Sequence, residues 1–171
     1  MRRPHQGLDK TDRKIVELLQ QNGRLSNIDL ARALGLAGPS VFSRVRNLEK
    51  QGIIQAYHAR INPDSLDLPL LAFILVKTDD LRKENPAGEK ISRLSGVLEV
   101  HNIVGEDALL VKVRTSDPEN LATLIRKDFA KIKGVISTKT TIALHTILES
   151  SLLPVRSPEK KKASVRKGIR R

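Results

Sequence analysis

The run SNIDLARALGLAGPSVFSRVRNLEKQ, from Ser26 to Gln51, leaves little freedom of local structure. Ser26 can cap a helix, and Asp29 three positions on completes a capping-box pattern. Leu30, Ala31 and Leu34 then give one apolar face at helical spacing. Gly35 falls where a helix end needs a residue tolerant of left-handed backbone. The chain restarts at Gly38-Pro39, since proline at a first helical position gives up only an amide that has no partner there. Val41, Val45 and Leu48 recur at i, i+4 and i+7 and should point inward. Ser40, Ser43, Arg44 and Asn47 are left on another face, hydrogen-bonding at its start and cationic further along. That face suits a DNA major groove, where base edges take donors and flanking phosphates take charge. Ser40, Ser43, Arg44 and Asn47 are the candidate base readers, and Arg46 and Lys50 the candidate phosphate contacts. A solvated helical face of no special role would show the same spacing, so the rest of the chain must decide.

Charge decides much of it. The net charge of +12 is split unevenly: residues 1–62 carry +6, residues 63–153 carry −1 and residues 154–171 carry +7. Positive charge concentrated at both ends attracts a polyanion, either nucleic acid or an anionic lipid surface. The aromatics are few, Phe42, Tyr57, Phe73 and Phe129, whereas single-strand binders stack bases on aromatic platforms. Duplex DNA is therefore the expected partner. The absence of cysteine excludes a disulfide framework and thiolate metal sites. The longest apolar run, Leu70 to Val76, is far too short to span a bilayer, and Met1-Arg2-Arg3-Pro4-His5 does not resemble a signal peptide. A cytoplasmic, nucleoid-associated protein is expected, with no membrane partner and no cofactor.

Taken in order, the chain divides in three: residues 1–62, 63–153 and 154–171. Leu8 to Gln21 reads as a first helix, capped by Asp9, with Leu8, Ile15, Leu18 and Leu19 buried and Asn22-Gly23 as its stop. With the pair above it forms a three-helix, DNA-binding-sized unit. Gly52 ends the third helix, and Ile53 to Ile61 is expected as a strand or extended hinge. Beyond Asn62-Pro63 the pattern changes to strands at Leu70–Lys77, Val97–Val104, Ala108–Arg114 and Val135–Leu148. Helices opening at Asn85-Pro86 and Asp117-Pro118 lie between them, the second carrying Leu121, Leu124, Ile125, Phe129 and Ile132 inward. The expected class is α+β, with a helix-turn-helix domain joined by a hinge strand to a βαββαβ, ferredoxin-like domain.

Such a sheet covers one face with helices and leaves the other bare. Leu70 to Val76 is apolar on both sides, so the bare face would be a large apolar patch, and a second copy of the chain is its expected cover. The alternative is that terminal segments fold over it. The stretch from Arg156 to Arg171, dense in positive charge and poor in large apolar residues, is expected to be a disordered tail, either adding phosphate contacts or merely solvated.

With these residues placed, the chain resembles the Lrp/AsnC, or feast/famine, family of transcription regulators. The resemblance covers Leu8 to about Leu153. It rests on LDKTDRKIVELLQQNGR, SNIDLARALGL and SRVRNLEKQGIIQAYHARINP in the first domain, and on VGEDALLVKV (Val104 to Val113) in the second. It implies a ligand-sensing RAM domain, homodimers built through the sheets with further assembly to tetramers or octamers, and an amino-acid effector held near a Gly-Asp loop. The common form of that loop is Gly-Asp-Tyr-Asp-Tyr; here it is Gly105-Glu106-Asp107-Ala108-Leu109, without aromatics and with the acids shifted. Gly105 would allow close backbone approach, and Glu106 or Asp107 could pair with an α-ammonium group. Ser137 and Thr138 are candidate hydroxyl partners. Asn47 replaces a usual basic residue of the family's recognition helix.

Two other classes remain in view. An enzyme is disfavoured, because His5, His58, His101 and His145 lie far apart and no phosphate loop, HExxH or GxSxG occurs. His101 and His145 are expected within strands. An architectural protein that compacts DNA with little sequence preference, and without an effector, differs from a regulator only in degree.

Overall fold

The computed structural model describes residues 7–79, 86–105 and 108–155. The tail from 156 onward, Asn85 and the loop acids Glu106 and Asp107 lie outside the described residues. Arg60–Glu149 pack as one compact unit, and the described residues on either side of that stretch pack as the other. Ser150–Val155, which the sequence attached largely to the sensing domain, therefore belong to the helical unit.

In the helical unit, α1 spans Lys10–Gln21, α2 Asn27–Leu34 and α3 Gly38–Lys50. The caps are those legible in the sequence. Asp9 accepts the Asp12 amide at 2.7 Å, and Ser26 Oγ accepts the Asp29 amide at 3.1 Å while donating to the Asp29 carboxylate at 2.6 Å. Gly35 takes φ 64°, and the amide of Leu36 reaches back to the Ala31 carbonyl, closing α2. Ile15 and Leu19 of α1, Leu30 and Ala31 of α2, and Val41, Val45 and Leu48 of α3 form one core. Ile53 and Ile54 pack against it, but the stretch after them does not pair as a strand. The Tyr57 hydroxyl donates to Glu49 at 3.0 Å and ties that stretch to α3; partial burial, then the Glu49 carboxylate, push the phenol up to about 12. The returning segment is held by a reciprocal amide pair, in which the Leu153 amide donates to Gln20 Oε1 at 2.7 Å and Gln20 Nε2 donates to the Leu153 carbonyl at 3.1 Å. The side chain of Gln20 thus stands in for a neighbouring strand.

In the other unit, β1 (Leu70–Thr78), α4 (Pro86–Ile91), β2 (Val97–Asn102), β3 (Leu109–Thr115), α5 (Pro118–Thr123) and β4 (Val135–Ala143) build an antiparallel sheet of order β2-β3-β1-β4. Alternation along the strands sends Ala72, Ile74, Val76, Leu109, Val111 and Val113 to one side, where Ile91, Leu121, Leu124 and Phe129 complete the core. α5 continues as a wider π turn over Leu124–Asp128 and a 3-10 turn over Phe129–Lys131, which keeps Leu124 and Phe129 on the sheet.

Two expectations need correction. The last strand ends at Ala143, not near Leu148, because Ala143 pairs with Leu71 at the start of β1 and almost no strand remains to pair beyond it. His145 accordingly lies past the strand. The chain instead crosses the open face of the sheet towards β3, where Glu149 meets Lys112 at 2.5 Å and Arg114 at 3.0 Å. The open face is also not uniformly apolar. Leu71, Phe73 and Leu75 line it on β1, but Lys112 and Arg114 of β3 and Glu99 and His101 of β2 share it. Glu99 bonds Lys112 at 3.0 Å and His101 at 3.1 Å, and the crossing segment leaves Leu71 only 6% exposed. The pairing with Lys112 holds Glu149 below the usual carboxylate range, and Lys112 is raised in turn.

Ile74, fully buried at the centre of β1, tests this core. Ile74→Ala should cost about 2–5 kcal/mol, read as a lower urea midpoint at unchanged slope.

Candidate nucleic-acid interface and effector site

Three side chains seat α3 in the core, and most of the others are exposed. With Val41, Val45 and Leu48 in the core, the exposed residues of α3 are Pro39, Ser40, Phe42, Ser43, Arg46, Asn47, Glu49 and Lys50. At about 100° per residue, Ser43, Arg46, Asn47 and Lys50 lie on the side opposite the core, with Ser40 and Phe42 flanking them. The start of α3 has no side-chain cap; Ala37 holds the capping position and Pro39 fixes the first turn.

Arg44 does not join that face. Its Nη1 donates to Asp9 Oδ2 at 2.6 Å and to Asp12 Oδ1 at 2.8 Å, so the guanidinium is turned back onto the first turn of α1. Asp9, the cap expected from the sequence, is thus also a partner of Arg44, together with Asp12 of the first turn. Asp9 serves both ends of the arrangement. The Asp12 amide, and then the Arg44 guanidinium, hold its carboxyl below the ordinary aspartate range, while Arg44 is raised further by the pair. In physical terms Arg44 is a strut between α1 and α3, and it fixes the rotation of the helix whose other face is free.

The second candidate site lies at one end of the sheet. Val76 at the far end of β1 pairs with Leu109 and with Thr138, and the Val76 carbonyl also accepts the Ala108 amide at 3.0 Å. Gly105 and Ala108 are therefore brought to the same end as Ser137 and Thr138. The Ile103 amide closes the loop onto the Ala108 carbonyl at 3.0 Å. Among the described residues, a side chain at Gly105 would meet nothing within 4 Å. Ser137 and Thr138 occupy different faces of β4. Ser137 lies opposite Lys77 on the open face, whereas Thr138 lies opposite Val76 on the helix side. Sequence reasoning also passed over Asp79. Its amide donates to the Gly134 carbonyl at 3.0 Å, and its Oδ1 lies 3.0 Å from where a side chain on Gly134 would begin. Its only sequence signal was an acid directly after β1.

Replacing Arg44 by Ala should lower the thermal midpoint of the helical unit, with an effect on the order of 1 kcal/mol because the ion pairs are partly exposed. A depressed Asp9 contributes stability that is fully present above its unfolded value and lost as pH falls through the lower folded one. The difference in midpoint between wild type and Arg44→Ala should therefore shrink on acidification below about pH 4. A pH-independent gap, read by circular dichroism, would contradict the strut.

Comparison with known proteins agrees with this geometry. A family model described as winged helix-turn-helix DNA-binding matches residues 8–55, and one described as Lrp/AsnC ligand binding domain matches residues 71–153. The leucine-responsive regulatory protein of Escherichia coli (strain K12) is 32% identical over 161 residues, which cover 91% of this chain and 96% of that protein. A transcriptional regulator from Neisseria meningitidis in complex with L-Met is similar at TM-score 0.76 and 31% identity, over 86% of this chain and 97% of its own. The feast or famine regulatory protein from M. tuberculosis complexed with L-methionine gives 0.80 and 31%, over 88% and 100%. A reading helix and a sensing sheet in this order, matched along nearly the whole of the relatives, place this chain in the Lrp/AsnC family of transcription regulators.

Proposed function

We propose that the chain regulates transcription by laying α3 in the major groove of duplex DNA, and that an amino acid modulates its occupancy. The observation that carries the reading is the division of α3 into a strutted side and a free polar side. Ser40, Ser43 and Asn47 are the base-reading residues in this proposal, and Arg46 and Lys50 contact phosphate. Arg44 is withdrawn from that set and orients the helix. The positive charge of residues 156–171 adds phosphate contacts that ignore sequence. The protein acts as a homodimer in the cytoplasm, at the nucleoid. Phe73, with Ile147 and Leu148 of the crossing segment, offers the apolar part of the face between copies, and larger assemblies stack on that dimer.

The effector is an amino acid because the relatives from Neisseria meningitidis and M. tuberculosis were solved with L-methionine. In this chain the site would use the backbone at Gly105, one hydroxyl of Ser137 or Thr138, and a carboxylate from Glu106, Asp107 or Asp79 for the α-ammonium group. With no aromatic in the loop, the ligand's side chain would meet Val104 and Ala108.

Binding measured across a salt series, on a duplex selected from a random pool and on random duplex, tests the first part. The selected duplex should bind roughly a thousandfold tighter. Asn47→Ala should relax one base pair at a cost of about 1–3 kcal/mol, whereas Lys50→Ala should weaken both duplexes alike and lower the salt slope by about one. Interchanged behaviour of the two variants would overturn the assignment.

A thermal-shift screen of the amino acids tests the second part. An effector at a hundred times its Kd should add about 2.7 kcal/mol to the stability of the folded chain. A midpoint unmoved by every amino acid would reject the effector.

A further inference from the structure

We infer that Phe42 is a specificity-determining residue of the regulator, its ring packing against the 5-methyl group of thymine in the bound duplex. The inference rests on the reading of α3 given above and adds an apolar contact to its polar ones.

Phe42 is 52% exposed in the first half of α3, although Phe129 of the other unit is fully buried. Its neighbours on the outward surface are short: Pro39 three residues before it, Ser40, and Ser43 next in the chain. The ring is thus the longest group over the first turn and a half of the helix. Arg46, one turn on, continues the same row, so a duplex that meets the guanidinium also approaches the ring. The Arg44 strut matters as well. With that guanidinium turned onto Asp9 and Asp12, Pro39, Ser40, Phe42 and Ser43 leave the leading half of the exposed face without charge. Base pairs facing this half can be discriminated only by hydroxyls and by apolar contact. Among base edges in the major groove the thymine methyl is the one apolar group, and phenylalanine is one of the side chains that suit it. A half-exposed phenyl that loses water against that methyl gains the burial it forgoes in the free protein.

The test replaces thymines of a selected duplex one at a time by deoxyuridine, which removes the methyl and leaves pairing intact. Affinities of wild type, Phe42→Leu and Phe42→Ala are then compared on each duplex. Wild type should weaken about three- to tenfold at one or two replaced positions per half-site. Phe42→Ala should already be weakened by that factor on the thymine duplex and be indifferent to the same replacements, while Phe42→Leu should retain part of the sensitivity. Wild type indifferent to every replacement, or Phe42→Ala as sensitive as wild type, would overturn the inference while leaving the reading of α3 in place. Wild type that binds selected and random duplexes equally would overturn that reading, and the inference with it.

Discussion

α3 can turn only a little about its own axis before Val41, Val45 and Leu48 leave the core and Arg44 parts from Asp9 and Asp12. The two constraints differ in kind. Burial of three aliphatic side chains supplies most of the energy, and it is tolerant of small rotations because apolar contact is not directional. One guanidinium nitrogen held at 2.6 Å and 2.8 Å from two carboxylates adds little energy at a partly exposed site, but it is strict about angle. Together they decide which side chains face outward, and every statement about what the helix reads follows from that choice.

The sensing unit shows the same separation of energy from direction. Its core, on the helix side, is apolar from β3 through β1. The opposite side is striped, with Leu71, Phe73 and Leu75 beside a row of Glu99, Lys112, Arg114 and Glu149. An apolar stripe alone would let a second molecule slide along it, whereas fixed charges next to the stripe penalise any docking that leaves them unpaired.

How much of this was legible in the sequence depended on the distance between partners. Helix caps at Asp9, Ser26 and Gly35, the buried stripes of α1 to α3, and the strand-helix order of the second unit are set by residues within a few positions of one another, and all could be read directly. The partners of Arg44 lie 35 and 32 positions earlier, and helical spacing alone says that it is outward without saying what meets it there. The run after Ala143 keeps a strand-like composition, but a strand needs a neighbour, and β1 is nearly used up at Leu71. Ser137 and Thr138 are adjacent in sequence, which in a strand is the spacing that sends side chains to opposite faces. The contact between Gln20 and Leu153 spans 133 positions and has no local signature.

That last contact has a bearing on how the protein comes into being. A chain emerging from the ribosome would make its three helices early, yet the seat beside Gln20 stays unfilled until the residue 133 positions later has been synthesised. In sequence, the residues of the sheet unit are inserted between two portions of the helical unit. The helical unit is thus begun first and receives its Gln20 contact last.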